Sequence, residues 1–235
     1  MSSEAGKVLS AAELPRRRGE LGGRIGILGG TFDPVHNGHL AITGAVKEAF
    51  AIDSLLFIPA ARPPHKSNER ISPFADRVKM VELAIAGRPG FFVTTLEGER
   101  SGISYSVDTL FELHRQLGRA QLFFIIGIDA FADLGSWKEY ERLPDLADLI
   151  VLDRPPFRDD FLEHAVKRLF PDYHYDPRLK AWTGGKTGCI HLFDVEPVAV
   201  SATEVRRRTG AGETIGSLVP SAVEEYIHRR GLYKI

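Results

Sequence analysis

Two histidines, His36 and His39, stand three residues apart at the start of a helical pattern. At the amino end of a helix, this spacing lets both imidazoles face one bound group. Imidazoles in such a place can donate hydrogen bonds to phosphate oxygens and, when protonated, neutralise charge that develops on a transferring phosphoryl group. Zinc binding is the weaker interpretation, because the glutamate of H-E-x-x-H is missing and Cys189 is the single cysteine. The pair therefore predicts an anion site, with a turn carrying two solvated histidines as the alternative.

The histidines follow a glycine turn at the end of a short apolar run. Gly29 and Gly30 come directly after the strand-like residues 25–28, and Thr31 and Phe32 lead on towards the histidines. Glycines let a ligand approach the backbone closely, and unpaired N–H groups at a helix start attract anions. The turn is neither G-x-G-x-x-G nor a P-loop, since no Gly-Lys-Ser/Thr follows it. We expect these four residues to bind phosphate.

A second group of polar residues lies later in the chain, at the ends of apolar runs and at the start of a helical pattern. An apolar run meets Gly127, and Asp129 follows, where a carboxylate beside a triphosphate suits a ribose hydroxyl or a metal contact. Ser201, Thr203 and Arg206 open a helical pattern, so two hydroxyls, a helix amino end and a guanidinium could jointly hold the β and γ phosphates. Arg206 therefore joins the two histidines in the predicted catalytic set.

The residues around the histidines are similar to a known family. GGTFDPVHNGHL at 29–40 resembles the signature of the nucleotidyltransferases with a His-x-Gly-His motif, and PPHK at 63–66, SYSVDTL at 104–110 and VSATEVR at 200–206 resemble its bacterial-type nicotinate-nucleotide adenylyltransferases. Ala202 departs from that pattern, which often has a second serine. The resemblance implies that AMP passes from ATP to nicotinate mononucleotide by direct in-line attack, giving deamido-NAD and pyrophosphate. Mg²⁺ is then expected to arrive with ATP, without direct protein ligands.

The same resemblance implies an acceptor site. It places Lys66 near the substrate mononucleotide, Tyr105 and Ser106 against the nicotinate ring and carboxylate, and Trp137 as a stacking partner of the pyridine ring. The residues alone also allow an exposed basic loop, ordinary helix capping and a core-filling tryptophan. Ser136 with Glu139, and Ser201 with Glu204, fit capping boxes at two helix starts. No role is assigned to Arg77.

The elements that must position these residues alternate along the chain. Short, nearly continuous apolar runs are typical of strands buried on both faces, and helical stripes separate them. The pattern predicts an α/β fold, a Rossmann-like, doubly wound and mainly parallel sheet with helices on both faces, whose ligands bind where the strands end. The predicted strands are 25–28, 55–59, 91–97, 121–126, 149–152 and 190–195.

Length and composition indicate one domain. The chain has 235 residues, 43% of them hydrophobic, enough for a full core. We interpret residues 1–23 as a mobile extension and residues 24–235 as a single nucleotidyltransferase domain, with an irregular insertion at about 156–190 and a helical part at 201–235. Within the insertion, GGKT at 184–187 is not taken as a P-loop, because Lys180 stands at the position of the first glycine.

Charge restricts the partners. Thirty basic and thirty-one acidic side chains nearly cancel, so no nucleic-acid or membrane partner is expected. A cytoplasmic enzyme acting on ATP and nicotinate mononucleotide is expected, and homo-oligomerisation stays open. The alternatives are adenylyl transfer to nicotinamide mononucleotide or phosphopantetheine, and a nucleotide sensor without catalysis.

Overall fold

The computed structural model describes residues 8–64, 71–153, 161–196 and 198–234. These residues form one nine-stranded sheet. Its strands are β1 (Val8–Leu9), β2 (Arg24–Gly30), β3 (Ser54–Pro59), β4 (Phe91–Thr94), β5 (Gln121–Gly127), β6 (Asp148–Asp153), β7 (His174–Asp176), β8 (Ala181–Thr183) and β9 (Ile190–Asp194). They lie in the order β1-β4-β3-β2-β5-β6-β9-β8-β7.

Helices cover both faces of this sheet. In the described ranges they are α1 (Arg18–Leu21), α2 (Asn37–Ala49), α3 (Phe74–Ile85), α4 (Ser106–Leu117), α5 (Ile128–Ala132), α6 (Leu143–Leu146), α7 (Phe161–Leu169), α8 (Ala202–Gly210) and α9 (Ser221–Arg230). One core contains Leu110 of α4 and Val166 of α7, and the other contains Val46 of α2, Val81 of α3 and Ile227 of α9. None of these helices is long and apolar enough to cross a lipid bilayer.

The centre of the sheet is parallel and doubly wound, which confirms the predicted fold class. Strand β2 pairs in parallel with β3 on one side and with β5 on the other, so the chain reverses its direction of travel across the sheet between β2 and β5. Crevices at the carboxyl ends of strands beside such a reversal are the usual ligand sites of this fold. Gly30 and Gly127 end these two strands and therefore lie on the same edge.

The first residues that the structure describes are part of the domain. Strand β1 pairs in parallel with β4, and Leu9, Leu14 and Leu21 have no exposed surface. Each buried leucine contributes about 1.5–3 kcal/mol relative to an exposed one, which holds this segment against the sheet. The prediction of a mobile extension at 1–23 is therefore wrong for residues 8–23, where irregularly spaced leucines hid the packing.

The insertion is also more regular than its sequence indicated. Helix α7 packs into the core, and β7 and β8 form an antiparallel hairpin that continues the sheet beyond β9. The GGKT residues lie in the turn after β8, where Lys186 pairs with Asp145 at 2.8 Å. The irregular insertion expected at 156–190 is thus, among its described residues, a helix and a hairpin.

Candidate active site

A buried arginine fixes the glycine turn after β2. Arg77 of α3 is 2% exposed, and its Nη1 donates to the carbonyl oxygens of Thr31 at 2.7 Å and Ala60 at 2.8 Å. Its Nε donates to the carbonyl oxygen of Ser72 at 3.0 Å. Charge-assisted hydrogen bonds of this kind are stronger than neutral ones, so the turn is held rigidly against the loop after β3. The sequence assigned no role to Arg77, and the structure makes it the anchor of the site.

A buried carboxylate braces the next part of the turn. Asp33 is 5% exposed, and its two oxygens accept hydrogen bonds from the Tyr233 hydroxyl at 2.6 Å and the Ser72 N–H at 3.1 Å. Burial, together with the nearby Asp33 carboxylate, raises the pKa of Tyr233, so the phenol stays protonated and donates. The end of the chain is thereby tied to the loop that carries the histidines.

The rings of His36 and His39 are stacked, with centroids 3.7 Å apart. The backbone N–H of His36 donates to Nδ1 of His39 at 3.2 Å, so a neutral His39 carries its proton on Nε2. His36 is 9% exposed, and burial lowers its pKa to about 4. At neutral pH His36 is therefore an uncharged donor, and the protonated form allowed by the sequence analysis does not apply to it.

Phe32 supports the histidines. Its backbone adopts φ 50°, and its ring is 3% exposed, packed edge-on against His39 with centroids 5.1 Å apart. A Cβ on Gly30 would lie 3.1 Å from this ring, so Gly30 provides room for it. Phe32 was predicted to bind ATP, but its buried side chain leaves only the backbone for that contact.

Helix α8 brings Arg206 to the same edge as the histidines. Nη1 of Arg206 donates to the carbonyl oxygen of Asp33 at 2.8 Å, and Nη2 contacts the Thr203 hydroxyl at 3.4 Å. Val200, just before this helix, lies close to Gly38: a Cβ added to Gly38 would be 3.0 Å from Cγ1 of Val200. The predicted neighbourhood of His36, His39 and Arg206 is thus present in the fold, although the three are far apart in the sequence.

The start of α8 has one of the two hydrogen bonds of the capping box predicted for Ser201 and Glu204. The hydroxyl of Ser201 accepts a hydrogen bond from the N–H of Glu204 at 3.2 Å. The other half of the predicted capping box is missing, because the Glu204 carboxylate binds Arg207 and Arg208 instead. Ser201 can still donate its own proton to a ligand.

A cavity of about 340 Å³ lies against the glycine turn. It extends from the glycine turn to the start of α4. Its walls come from the turn itself, the loop after β3, the start of α4 and the segment after α5, and are formed by Gly29, Gly30, Thr31, Ile58, Ala60, Pro63, Pro64, Glu97, Ser104, Tyr105, Ser106, Val107, Phe124, Ser136, Trp137 and Lys138. Arg62 and Ser104 close one wall, since each backbone N–H bonds to an oxygen of the other residue.

Three residues predicted to bind the acceptor nucleotide line this cavity: Tyr105, Ser106 and Trp137. The helix capping around them differs from the prediction. Helix α4 begins at Ser106, and its N-cap is Tyr105, without a side-chain capping bond. Trp137 lies in extended backbone and packs edge-on against Phe124, so the predicted capping box at 136–139 is wrong. Steric packing of the indole on β5 decides the backbone there. Lys66 lies outside the described residues.

The two charged residues that line the cavity, Lys138 and Glu97, were not predicted as site residues. The ammonium of Lys138 lies 5.1 Å from the centre of the Tyr105 ring and 3.0 Å from both carboxylate oxygens of Asp108. Glu97 is 8% exposed and accepts a hydrogen bond from Thr109 at 2.7 Å. Sequence spacing does not reveal that the segment after α5 lies against the start of α4, where Lys138 meets Asp108 and Tyr105. Gly127 and Asp129 lie at the start of α5, on the same sheet edge.

A doubly wound sheet with a glycine turn, two stacked histidines and an arginine near its switch point is the arrangement expected of a nucleotidyltransferase, and comparison with known proteins agrees. The cytidylyltransferase-like family model matches residues 27–208, and the chain belongs to that family. Within it, the chain belongs to the nicotinate-nucleotide adenylyltransferases, as its curated relatives indicate.

Two of these relatives are each described as a "probable nicotinate-nucleotide adenylyltransferase". The protein of Syntrophotalea carbinolica is 42% identical over 212 residues, which cover 90% of this chain and 97% of the relative. That of Citrifermentans bemidjiense is 40% identical over 211 residues, covering 89% and 98%. Among solved structures, the nicotinic acid mononucleotide adenylyltransferase of Plasmodium falciparum complexed with APC superposes with a TM-score of 0.69 at 20% identity, over 90% of this chain and 98% of that one. This likeness supports the fold.

Proposed function

We propose that this enzyme transfers AMP from ATP to nicotinate mononucleotide, forming deamido-NAD and pyrophosphate. The observation that supports the proposal is the position of one glycine turn, which Arg77 holds against the loop after β3. Gly29, Gly30 and Thr31 line the cavity beside Trp137, and the same turn leads directly into the loop of His36 and His39. An acceptor in the cavity and a triphosphate at the histidines would therefore meet at this turn.

The cavity suits a flat aromatic acid. Trp137 and Tyr105 offer ring surfaces for a pyridine ring, and the first N–H groups of α4 have no side-chain cap. An amino end of a helix favours a carboxylate, and the Lys138 ammonium adds a positive charge at the same wall. Both features favour nicotinate over its uncharged amide.

The phosphate edge can stabilise the transfer without a covalent intermediate. An oxygen of the acceptor's phosphate, already anionic at neutral pH, attacks the α-phosphorus of ATP while the bond to the leaving pyrophosphate breaks. Negative charge then moves onto oxygens that His39 Nε2–H, His36 and the Arg206 fork can bind. Each donor arranged in this way typically lowers the activation barrier by about 2.7–4 kcal/mol.

Enzymes that act on ATP generally use a divalent cation, and we propose Mg²⁺ bound to the substrate phosphates. Mg²⁺ keeps waters and phosphate oxygens in its shell and seldom needs a protein cage. The carboxylate in the histidine loop, Asp33, is already bonded to Tyr233 and Ser72. The chain's contribution is thus to bind the phosphates that carry the metal.

Pyrophosphate release by the purified chain tests this proposal. With MgATP, we expect rapid release with nicotinate mononucleotide and a much lower kcat/KM with nicotinamide mononucleotide or phosphopantetheine. A preference for either alternative acceptor would assign the chain that reaction instead. Binding of ATP without release on any acceptor would indicate a nucleotide sensor.

A further inference from the structure

A second cluster of potential ligands lies at the opposite edge of the sheet. Asp148, Cys189 and His191 bring a carboxylate oxygen, a thiol sulfur and an imidazole nitrogen within 4.8 Å of one another. Asp148 begins β6, whereas the nucleotide edge lies at the carboxyl ends of the strands. Along a six-residue strand the two edges are about 16 Å apart.

Strand register, rather than chance, brings the three side chains together. Leu149 pairs with Ile190 and Ile150 with His191, so Asp148 lies opposite Cys189. Residues that alternate along a strand point to one face, and paired residues share that face. Cys189, the residue before β9, and His191 within β9 therefore extend towards the same side as Asp148.

The side chains of Asp148 and His191 are also held in place. Asp148 accepts a hydrogen bond from Nε2 of Gln121 at 2.6 Å and from the N–H of Cys189 at 2.7 Å. The ring of His191 packs edge-on against Phe50, with centroids 5.3 Å apart. Outer hydrogen bonds to a ligating carboxylate and an apolar shell are typical of built metal sites.

We propose that Asp148, Cys189 and His191 bind one Zn²⁺ ion, with water as the fourth ligand. Thiolate, imidazole and carboxylate are the ligands that zinc takes, and a carboxylate with a thiolate neutralises its two charges. Binding removes the thiol proton, which passes to solvent as the Zn–S bond forms. Zinc bonds of about 2.0–2.3 Å place tetrahedral ligand atoms about 3.3–3.8 Å apart, so side-chain shifts of roughly 1 Å close the site.

The position of the site indicates a structural role. The chain returns from the β7–β8 hairpin just before Cys189, and Gly188 donates to the carbonyl oxygen of Pro144 at 2.7 Å. A Cβ on Gly188 would lie 2.5 Å from the Ala147 carbonyl oxygen, so the two segments are pressed together there. A zinc ion at this point would staple the insertion to the start of β6.

Metal analysis of the full chain tests the site independently of adenylyl transfer. We expect about one tightly bound zinc per chain, and a Tm lower by about 5 °C or more after chelation. Cobalt added to the apoprotein should give a thiolate-to-cobalt charge-transfer band. Absence of both the zinc and the band would overturn the proposal, whatever the variants do.

Variants then assign the ligands. Cys189→Ser and His191→Gln should each weaken zinc binding at least about tenfold, the lower range for losing even an outer-shell partner. The control His114→Gln changes an exposed histidine on α4 and should bind zinc normally. Equal zinc affinity in all three variants would overturn the assignment. Turnover with nicotinate mononucleotide should stay within about twofold in each, because the site is remote from the nucleotide edge.

Discussion

Nη1 of Arg206 donates a hydrogen bond to the carbonyl oxygen of Asp33 at 2.8 Å, joining two residues 173 positions apart. This contact brings helix α8 to the histidine loop and orients the guanidinium. Because the fork is planar, a lysine cannot reproduce both the contact and a bidentate phosphate interaction.

Replacing Arg206 should therefore damage catalysis more than folding. We expect Arg206→Ala to lower kcat/KM about 10²–10³-fold, with Arg206→Lys between it and the wild type. Arg207→Ala, on the exposed side of the same helix, is the matched control and should remain within about twofold. Steady-state pyrophosphate release measures all three, and equal effects at 206 and 207 would count against a phosphate role for Arg206.

A methyl group at Gly29 should block the acceptor. A Cβ there would have its nearest heavy atom, Cε2 of Phe124, at 3.8 Å, so the fold accepts it, but it would occupy the cavity. We expect Gly29→Ala to raise KM for nicotinate mononucleotide about tenfold or more, with Tm nearly unchanged. The control is Gly44→Ala in α2, where an added Cβ would meet no atom within 4 Å outside the helix's own backbone. This variant should keep the wild-type KM and stabilise the chain by about 0.5–1 kcal/mol. An unchanged KM in Gly29→Ala would place the acceptor elsewhere.

Lys138 should contribute to discrimination between acid and amide. Its side chain is 39% exposed and paired with Asp108, so the effect is modest. We expect Lys138→Gln to lower the ratio of kcat/KM for nicotinate over nicotinamide mononucleotide about two- to fivefold. Lys79→Gln, on α3, serves as the control. An unchanged ratio of kcat/KM values would indicate that the amino end of α4 binds the carboxylate without help from Lys138.

Stability should fall in acid because of His36. Burial lowers its native pKa to about 4 from 6.5, so the unfolded chain binds more protons between these values and stability decreases as the pH falls. The contribution is complete above pH 6.5 and lost by pH 4, and amounts to roughly 3 kcal/mol. Urea unfolding of the wild type and His36→Gln at pH 7, 5 and 4 measures it. Parallel pH profiles for the two proteins would show that His36 titrates normally.

Much of the fold follows from local patterns. All six predicted strands are present, because buried parallel strands leave continuous apolar runs whatever their neighbours are. Strand β1 and the β7–β8 hairpin were missed. They have only two or three residues each, and β1 gains its stability from long-range pairing with β4, which no sequence window contains.

The sequence motifs predicted the candidate site residues, but not the residues that hold them in place. Motifs at 29–40 and 200–206 indicated the histidines and Arg206, which the fold brings together. The anchoring by Arg77 and Tyr233 depends on α3 and the chain end reaching one loop, and the sequence spacing does not reveal it. Trp137 illustrates the opposite case, since a local capping pattern was overridden by its packing against Phe124.

The most direct test of the account is the turnover of His39→Ala. With saturating MgATP and nicotinate mononucleotide, we predict a kcat two to three orders of magnitude below the wild type, because a donor to the transferring phosphate is lost. The variant should still fold, with a Tm lowered only by the loss of one helix-capping hydrogen bond. Turnover close to that of the wild type in a folded His39→Ala protein would contradict the proposed phosphate site.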